Sequence, residues 1–375
     1  MISDTPTKRI LFVTTVSITA RSFLLPYAAS LRDAGYEVDL ATNGVELEEK
    51  FRDFFNSTYD ICWTRSPLNI RKNFRAYFEV RKVIQSEHFD IIHTHTPIAS
   101  AIVRLVARRS HNDFPKIIYT AHGFHHHSQG SRIKNWVFYA VENYLARFTD
   151  VILTTNDEDY ESAKSFTGNS SVLLTNGVGI SFGNLRTLEI HEKTILRENM
   201  QIPARNNLII FVGELNDNKR PIDLIDAAEI AFRDREDVTI LIVGEGPLER
   251  ESNQRAISSS LDIRVLGYRP DAHELIAISD ILVSCSVREG LGMVLLEAMA
   301  QKCLVISSDH RGARQIVPQK YRYPIKDIYA LAHLLEGCER LPETLEANFE
   351  TASKYEITLA ISNYLELISE VIEAN

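Results

Sequence analysis

Residues 281–307 read ILVSCSVREGLGMVLLEAMAQKCLVIS. An aliphatic run, a loop holding Gly290 and Gly292, an apolar segment of helical length and a second aliphatic run follow one another. The pattern predicts a strand over 281–283, a helix over 292–300 and a strand over 304–307. A strand–helix–strand crossover joins parallel strands. Nearly uninterrupted Val/Ile/Leu strands are those of a parallel sheet covered on both faces.

The same unit recurs on either side. Upstream, strands are predicted at 208–212, 239–243 and 263–266, with helices at 221–233, 248–258 and 273–278. A separate series fills the first half, with strands at 9–14, 37–41, 91–93, 116–120, 151–154 and 171–174. Helices at 22–34, 71–86, 99–109, 135–148 and 158–165 alternate with them, and Gly35 follows the first as a C-cap. A closing helix is predicted at 359–372. The polar stretch 176–206 contains the join between the two series. Two doubly wound α/β domains in tandem result, which suits a chain of 375 residues. Ligands bind outside the carboxyl ends of such strands. The gap between two such edges is therefore the expected site of a two-substrate reaction.

Composition narrows the class. Hydrophobic residues make up 45% and charged residues 24%, as in an ordinary globular protein. No apolar run approaches the ~18 residues of a membrane span, and the opening MISDTPTKRI has no secretory signal pattern. Cys62, Cys285, Cys303 and Cys338 lie far apart with no CxxC, which suits a reduced, cytoplasmic chain. The net charge of −9 is unevenly spread. Residues 1–180 carry 20 basic and 19 acidic side chains; residues 181–375 carry 21 and 31. Within the first part, Arg65 to Arg109 holds nine basic residues against three acidic ones. A local basic patch on an acidic protein argues against nucleic-acid binding, which wants a strongly basic domain. It suits an anionic membrane surface; a solvated helix face is the plainer alternative.

The glycine turn carries the chemistry. Glycines let the backbone approach a ligand closely, and the first amides of the following helix favour a phosphate. Glu289 in the loop and Glu297 in the helix could meet a sugar and a ribose diol. A plain strand–turn–helix with solvent-facing acids is the competing reading.

REGLGMVLLEAMAQKCLVISSDHRG resembles the donor-binding signature of retaining glycosyltransferases of family 4, with its E-x7-E pair. The remaining motifs fit in order: ILFVTT at 10–15, DIIHTHTP at 90–97, YTAHGFHHH at 119–127, TNGV at 175–178, FVGEL…K at 211–219, VGEGP at 243–247 and LGYRPD at 266–271. The resemblance spans essentially the whole chain. It implies the GT-B fold, two Rossmann-like doubly wound parallel-sheet domains facing a cleft. The boundaries expected are an acceptor domain at 1–180, a nucleotide-sugar domain at 181–355 and a helix at 356–375 packing back on the first domain. TAHGFHHH, the helix at 135–148 and VGELNDNK look like the exopolysaccharide and capsule branch, which acts on polyprenyl-linked acceptors.

By that resemblance Glu297 holds ribose hydroxyls and Glu289 contacts the transferred sugar. The amides of Leu291, Gly292 and Met293, beside Gly290, meet the diphosphate, and Tyr268 and Arg269 flank the base. Lys219 neutralises the departing diphosphate, although taken alone it reads as a surface lysine before a helix. His122 matches the family's sugar-contacting histidine. The donor implied is a UDP-sugar, with no metal or other cofactor. The reaction implied is a front-face displacement with retention, which relies on positioning rather than a protein nucleophile. One position departs from the family: Glu214 stands where an arginine of the phosphate pair is usual, so Arg220 or Arg311 would have to assist Lys219, or Glu214 points elsewhere.

Other signals are weak. His122 and His126 have metal-ligand spacing only if helical, and Gly123 follows His122 at once. Asp157 and Asp159 open a helix and read as caps. No GxxxxGK[ST] or GxSxG is present. On the acceptor side, Ser17, Thr19 and Arg21 are expected on a loop after the first strand, at the sheet edge. Arg71, Lys72, Arg75, Arg81 and Lys82, interleaved with Phe74, Tyr77 and Phe78, suit an anionic interface. The partners expected are a nucleotide sugar, a lipid-linked saccharide and the inner face of the cytoplasmic membrane. A nucleotide-sugar 2-epimerase and a non-catalytic sugar-nucleotide binder are the alternatives.

Overall fold

The computed structural model describes residues 7–373 apart from 48, 109–113, 129, 186–187 and 234. Arg109, the last of the basic residues counted above, lies outside the described residues. The chain divides into two compact units, residues 1–178 with 358–375, and residues 179–357.

The first unit runs β1 (Arg9–Val13), α1 (Ser17–Phe23), α2 (Leu25–Asp33), β2 (Glu37–Thr42), α3 (Phe51–Phe54), β3 (Thr58–Asp60), α4 (Ile70–Ser86), β4 (Ile91–Thr94), α5 (Pro97–Ala107), β5 (Lys116–Ala121), α6 (Arg132–Ala146), β6 (Val151–Thr154), α7 (Asp157–Lys164) and β7 (Ser171–Leu174). The second runs α8 (Ile190–Asn199), β8 (Asn207–Val212), α9 (Pro221–Ala231), β9 (Val238–Val243), α10 (Glu249–Ser258), β10 (Asp262–Gly267), α11 (Ala272–Ile278), β11 (Ile281–Ser284), α12 (Met293–Ala300), β12 (Leu304–Ser308), α13 (Arg311–Ile316), β13 (Arg322–Tyr323), α14 (Ile328–Gly337) and α15 (Pro342–Ser353). The last helix, α16 (Ile357–Glu373), sends Ala360, Tyr364, Ile368 and Val371 into the core of the first unit.

Every ladder between these strands is parallel. The first sheet has the order β3-β2-β1-β4-β5-β6-β7 and the second β10-β9-β8-β11-β12-β13. Both are doubly wound, with the order reversing between β1 and β4 in one and between β8 and β11 in the other. Alternation along β1 divides the first core. Ile10 and Phe12 face α2 and α16, while Leu11 and Val13 face α4 and α5. In the second unit β9 is buried at all six positions, as a strand covered on both faces must be.

The expected loop at 17–23 is instead α1, and the helix expected over 22–34 begins only at Leu25. Pro26 explains the break. It occupies the first turn of α2, where its missing N–H costs nothing, and it could not sit inside a continuous helix.

Candidate active site

In the second unit, the loops after β8 and β11 open side by side at the switch point of the sheet. These are the loops that carry Lys219 and Glu289. Asn216 Oδ1 accepts the amides of Asn218 and Lys219 at 3.0 and 2.9 Å, which curls the first loop ahead of α9. Asn218 then ties it to the second. Its carbonyl accepts the Val287 amide at 2.7 Å, and its Nδ2 donates to the Arg288 carbonyl at 3.0 Å. Lys219 Nζ is thereby held 2.8 Å from Glu289 Oε1. Burial pushes the Glu289 carboxyl up, but the charge and hydrogen bond of Lys219, with smaller help from His310 and Ser286, outweigh it and the net shift is downward. Glu289 is therefore an ionised carboxylate with a cation on it.

Gly292 has φ 87°, a conformation only glycine adopts readily, and it starts α12. A Cβ at Gly312, in the first turn of α13, would lie 2.8 Å from the Leu291 carbonyl carbon. The turn 290–292 is thus pressed from behind by backbone rather than by side chain. Met293 opens α12, where helical amides have no partner within the helix. His310 backs the turn, 3.8 Å from where a Gly292 Cβ would stand. Its Nδ1 accepts the Ala313 amide at 3.1 Å and caps α13, so its proton is on Nε2. Burial pushes its pKa down to about 4.

Glu297 lies one turn into α12, half-buried, with Oε2 3.9 Å from His273 Nδ1. Burial pushes its carboxyl up, and the charges of His273 and Lys219 oppose this only in part. Tyr268, just past β10, is 70% exposed, so a flat partner could cover it. Arg269 is spent on Asp271, with Nε donating to Oδ1 at 2.7 Å.

Glu214 is exposed. Of the two cations considered as substitutes for the family arginine, Arg220 is committed elsewhere: its guanidinium grips Asp223 at 2.6 and 2.7 Å. Arg311 is buried at the start of α13, next to the glycine that presses on Leu291. A Cβ on Gly244 would fall 1.9 Å from the Gly213 carbonyl, so the end of β9 packs directly on the backbone beside Glu214.

In the first unit, Thr15 and Thr96 join the ends of β1 and β4, with the Thr15 amide 2.7 Å from Thr96 Oγ1. Ser17, Thr19 and Arg21 follow on α1 rather than on a loop. Ser17 is buried, Thr19 half-buried and Arg21 exposed. His122 follows β5, and its ring lies parallel to that of His95 at 5.7 Å. His95 packs on His93 at 4.0 Å. His93 in turn is bonded through Nδ1 to Tyr364 OH and through Nε2 to Thr120 Oγ1, both at 2.7 Å. His126 belongs to another network, with Nε2 2.7 Å from Ser162 Oγ. Among the described residues, no three His, Cys, Asp or Glu side chains converge as around a metal ion. Asn156, not Asp157 or Asp159, caps α7. Its side chain accepts the Asp159 amide at 2.9 Å, and buried Asp159 accepts the Phe124 amide at 3.2 Å.

Sequence reasoning missed Asn216, Asn218, His310 and Tyr364. The two asparagines ahead of Pro221 were a legible turn signal. Nothing local marks Tyr364.

The family profile for Glycosyltransferase Family 4 matches residues 23–181, and that for Glycosyl transferases group 1 matches residues 192–353. The chain is 32% identical to EpsD of Bacillus subtilis (strain 168), a protein classed as a glycosyltransferase, over 98% of this chain and 97% of that one. It is 24% identical to the UDP-Gal:alpha-D-GlcNAc-diphosphoundecaprenol alpha-1,3-galactosyltransferase of Escherichia coli, over 73% of this chain and 70% of that one. The crystal structure of Anabaena HepE in complex with UDP superposes with a TM-score of 0.78 at 19% identity, covering 97% of this chain and all of that one. With both halves matched in order and both sheets wound alike, the chain belongs to the group 1 and family 4 glycosyltransferases and is an enzyme of the GT-B fold.

Proposed function

We propose that the chain transfers a hexose or N-acetylhexosamine, with retention of configuration, from a UDP-sugar to a polyprenyl-diphosphate-linked saccharide in cell-surface polysaccharide synthesis. The observation that carries the reading is the Lys219–Glu289 pair, set against the Gly290–Gly292 turn at the switch point of a Rossmann-type sheet. A cation and a helix start side by side suit a diphosphate. A carboxylate held to that cation suits sugar hydroxyls, which donate to it.

In this reading the diphosphate rests on the amides of Leu291, Gly292 and Met293, beside Gly290. Lys219 releases part of its hold on Glu289 and stabilises the charge that builds as the sugar departs. Glu297 accepts ribose hydroxyls, and that bonding compensates the desolvation that raises its carboxyl. Tyr268 and Arg269 flank the base. His122 contacts the sugar at the reacting centre, and Ser17, Thr19 and Arg21 meet the acceptor. No metal or other cofactor is required, because Lys219 and the helix amides carry the charge.

A membrane surface is the partner we assign to α4 and α6, which flank α5 in one layer of the first unit. Ile70, Phe74 and Phe78 of α4 are exposed among Arg71, Lys72, Arg75 and Lys82. The apolar side chains Ile133, Trp136, Val137 and Val141 of α6 are exposed as well. Arg104, counted in the basic patch, does not contribute: it is buried against Glu142 at 3.0 Å. No described helix is long and apolar enough to cross a membrane, and we place the enzyme peripherally on the cytoplasmic face.

The test is incubation with a panel of UDP-sugars and polyprenyl-linked acceptors, followed by product analysis. An elongated lipid-linked saccharide with the donor's anomeric configuration is expected. An altered free sugar nucleotide would assign an epimerase, and binding without turnover a non-catalytic role. Binding to anionic vesicles that fades with salt is expected of the α4–α6 layer.

A further inference from the structure

A cavity of about 240 Å³ lies inside the first unit, between the face of the sheet carrying Phe12 and His93 and the helices α2 and α16. A cavity of roughly 150 Å³ already admits benzene when its walls are apolar. Most of the wall here is aliphatic or aromatic, with Leu24, Leu153 and Leu367 prominent, and no Asp, Glu, Lys or Arg contributes to it.

Its two histidines differ in how they are bonded. His93 is satisfied on both ring nitrogens, by Tyr364 and Thr120. His95 is not: it is 5% exposed, lines the cavity, and neither of its ring nitrogens has a partner among the described residues. The hydroxyl of Tyr27, on the same wall, is likewise buried and unpartnered among the described residues. Buried polar groups in folded proteins are nearly always hydrogen-bonded. Two orphans on one apolar cavity point to a molecule that satisfies them.

The lining defines that molecule. Without a charged side chain the cavity cannot hold a phosphate or carboxylate. A monosaccharide would set several hydroxyls against a wall that is mostly aliphatic or aromatic, although Thr175, Asn176 and Asn363 also line it. A neutral, compact body with a single hydroxyl fits, since a hydroxyl can donate to an imidazole nitrogen and accept from a phenol at once. We propose that this cavity is a binding site for a small neutral phenol or apolar alcohol, anchored through its hydroxyl by His95 and Tyr27. The residues that line the site all belong to the first unit, and the nucleotide-sugar loops to the second. The ring of His95 stacks on that of His122, the residue we place at the reaction centre.

The experiment compares p-cresol with toluene, which has the same shape without the hydroxyl, by calorimetry and ligand-observed NMR on the whole protein. The site predicts that p-cresol binds about tenfold more tightly than toluene and perturbs the imidazole signals of His95. His95→Phe should erase that preference, and Ala360→Leu, which fills the cavity from α16, should abolish binding of both. UDP binding and thermal unfolding of each variant report whether it is folded. Absence of p-cresol binding to the wild-type protein, equal affinity for the two probes, or a soaked crystal with only ordered water on His95 would each overturn the proposal. None of these outcomes depends on the transferase reading, because no sugar donor is involved.

Discussion

Lys219 Nζ sits 2.8 Å from Glu289 Oε1 although the two residues come from different loops, one after β8 and one after β11. Parallel winding brings those loops together, and the asparagines at 216 and 218 fasten them. The pair is also the point where the charged diphosphate and the neutral sugar of the proposed donor would meet. Lys219→Ala should therefore lower kcat by about 10²–10³, the size of effect seen when one transition-state charge stabiliser is lost. It should also leave a buried carboxylate without its cation, so the Glu289 carboxyl should move upward. Steady-state kinetics checks the first; an unchanged turnover would remove Lys219 from the reaction.

Glu297 offers a second, separable measurement. Its carboxyl is held above the ordinary range mainly by burial, a condition that ribose hydroxyls would relieve by donating to it. Glu297→Ala should weaken UDP binding by about 1.5–3 kcal/mol, the usual value of hydrogen bonds to a charged acceptor. Calorimetric titration with UDP alone reads this without any acceptor. Wild-type affinity in the variant would assign the ribose elsewhere.

Gly312 tests how the turn is held. An added methyl would stand 2.8 Å from the Leu291 carbonyl carbon, and backbone on both sides leaves no side chain to yield. Gly312→Ala should push residues 290–292 away from α13, at a cost in stability of about 1–3 kcal/mol. UDP affinity should fall with it, whereas the first unit should keep its unfolding profile. Normal UDP binding in a folded Gly312→Ala protein would show that the turn tolerates movement.

Both units should lose stability together as the pH falls. His93 in the first unit is held down to about 3 by burial and the nearby His122, and His310 in the second to about 4, chiefly by burial. An unfolded histidine titrates near 6.5. Between these values the unfolded chain binds the extra proton, so stability is complete above about 6.5 and declines below it. The slope is about 1.4 kcal/mol per pH unit for each histidine, continuing toward its folded value. Urea unfolding at pH 7.5, 6 and 5 reads this directly. A flat profile over that range would mean that neither imidazole is kept neutral by the fold.

How far the sequence could be read depended on whether a feature was periodic or distant. The strands β8, β9 and β11 announce themselves because both faces are covered, so each is apolar at all but one position. α8 shows no apolar period, because Ile190 and Ile195 are exposed and Leu196 packs on the core only in part, although Glu189 and Glu192 form a capping box. β3 and β13, of three and two residues, are too short for a period. The E-x7-E turn was legible because its glycines and acids are contiguous. What ties it to Lys219 was not, because Asn218 acts across 70 positions. The break between α1 and α2 has a local cause, Pro26 in the first turn of α2.

A hydrogen bond from α16 to β4 makes the sharpest test of that helix. Tyr364 donates or accepts at 2.7 Å with His93 Nδ1, across 271 positions of sequence. That bond orients the first ring of the His93–His95–His122 series. Tyr364→Phe keeps the packing of the ring and removes only the hydroxyl, leaving a buried imidazole nitrogen unpaired, at a cost of about 1–3 kcal/mol. Because the loops assigned to UDP lie in the other unit, UDP affinity should not change. If His122 touches the reacting sugar, kcat should fall while the KM for the donor holds. Removing residues 358–375 is a different perturbation: it strips Ala360, Tyr364, Ile368 and Val371 from the core of the first unit, and that unit should fail to fold. A Tyr364→Phe enzyme with the stability and turnover of the wild type would make α16 a packing element only, with no part in setting the histidine rings.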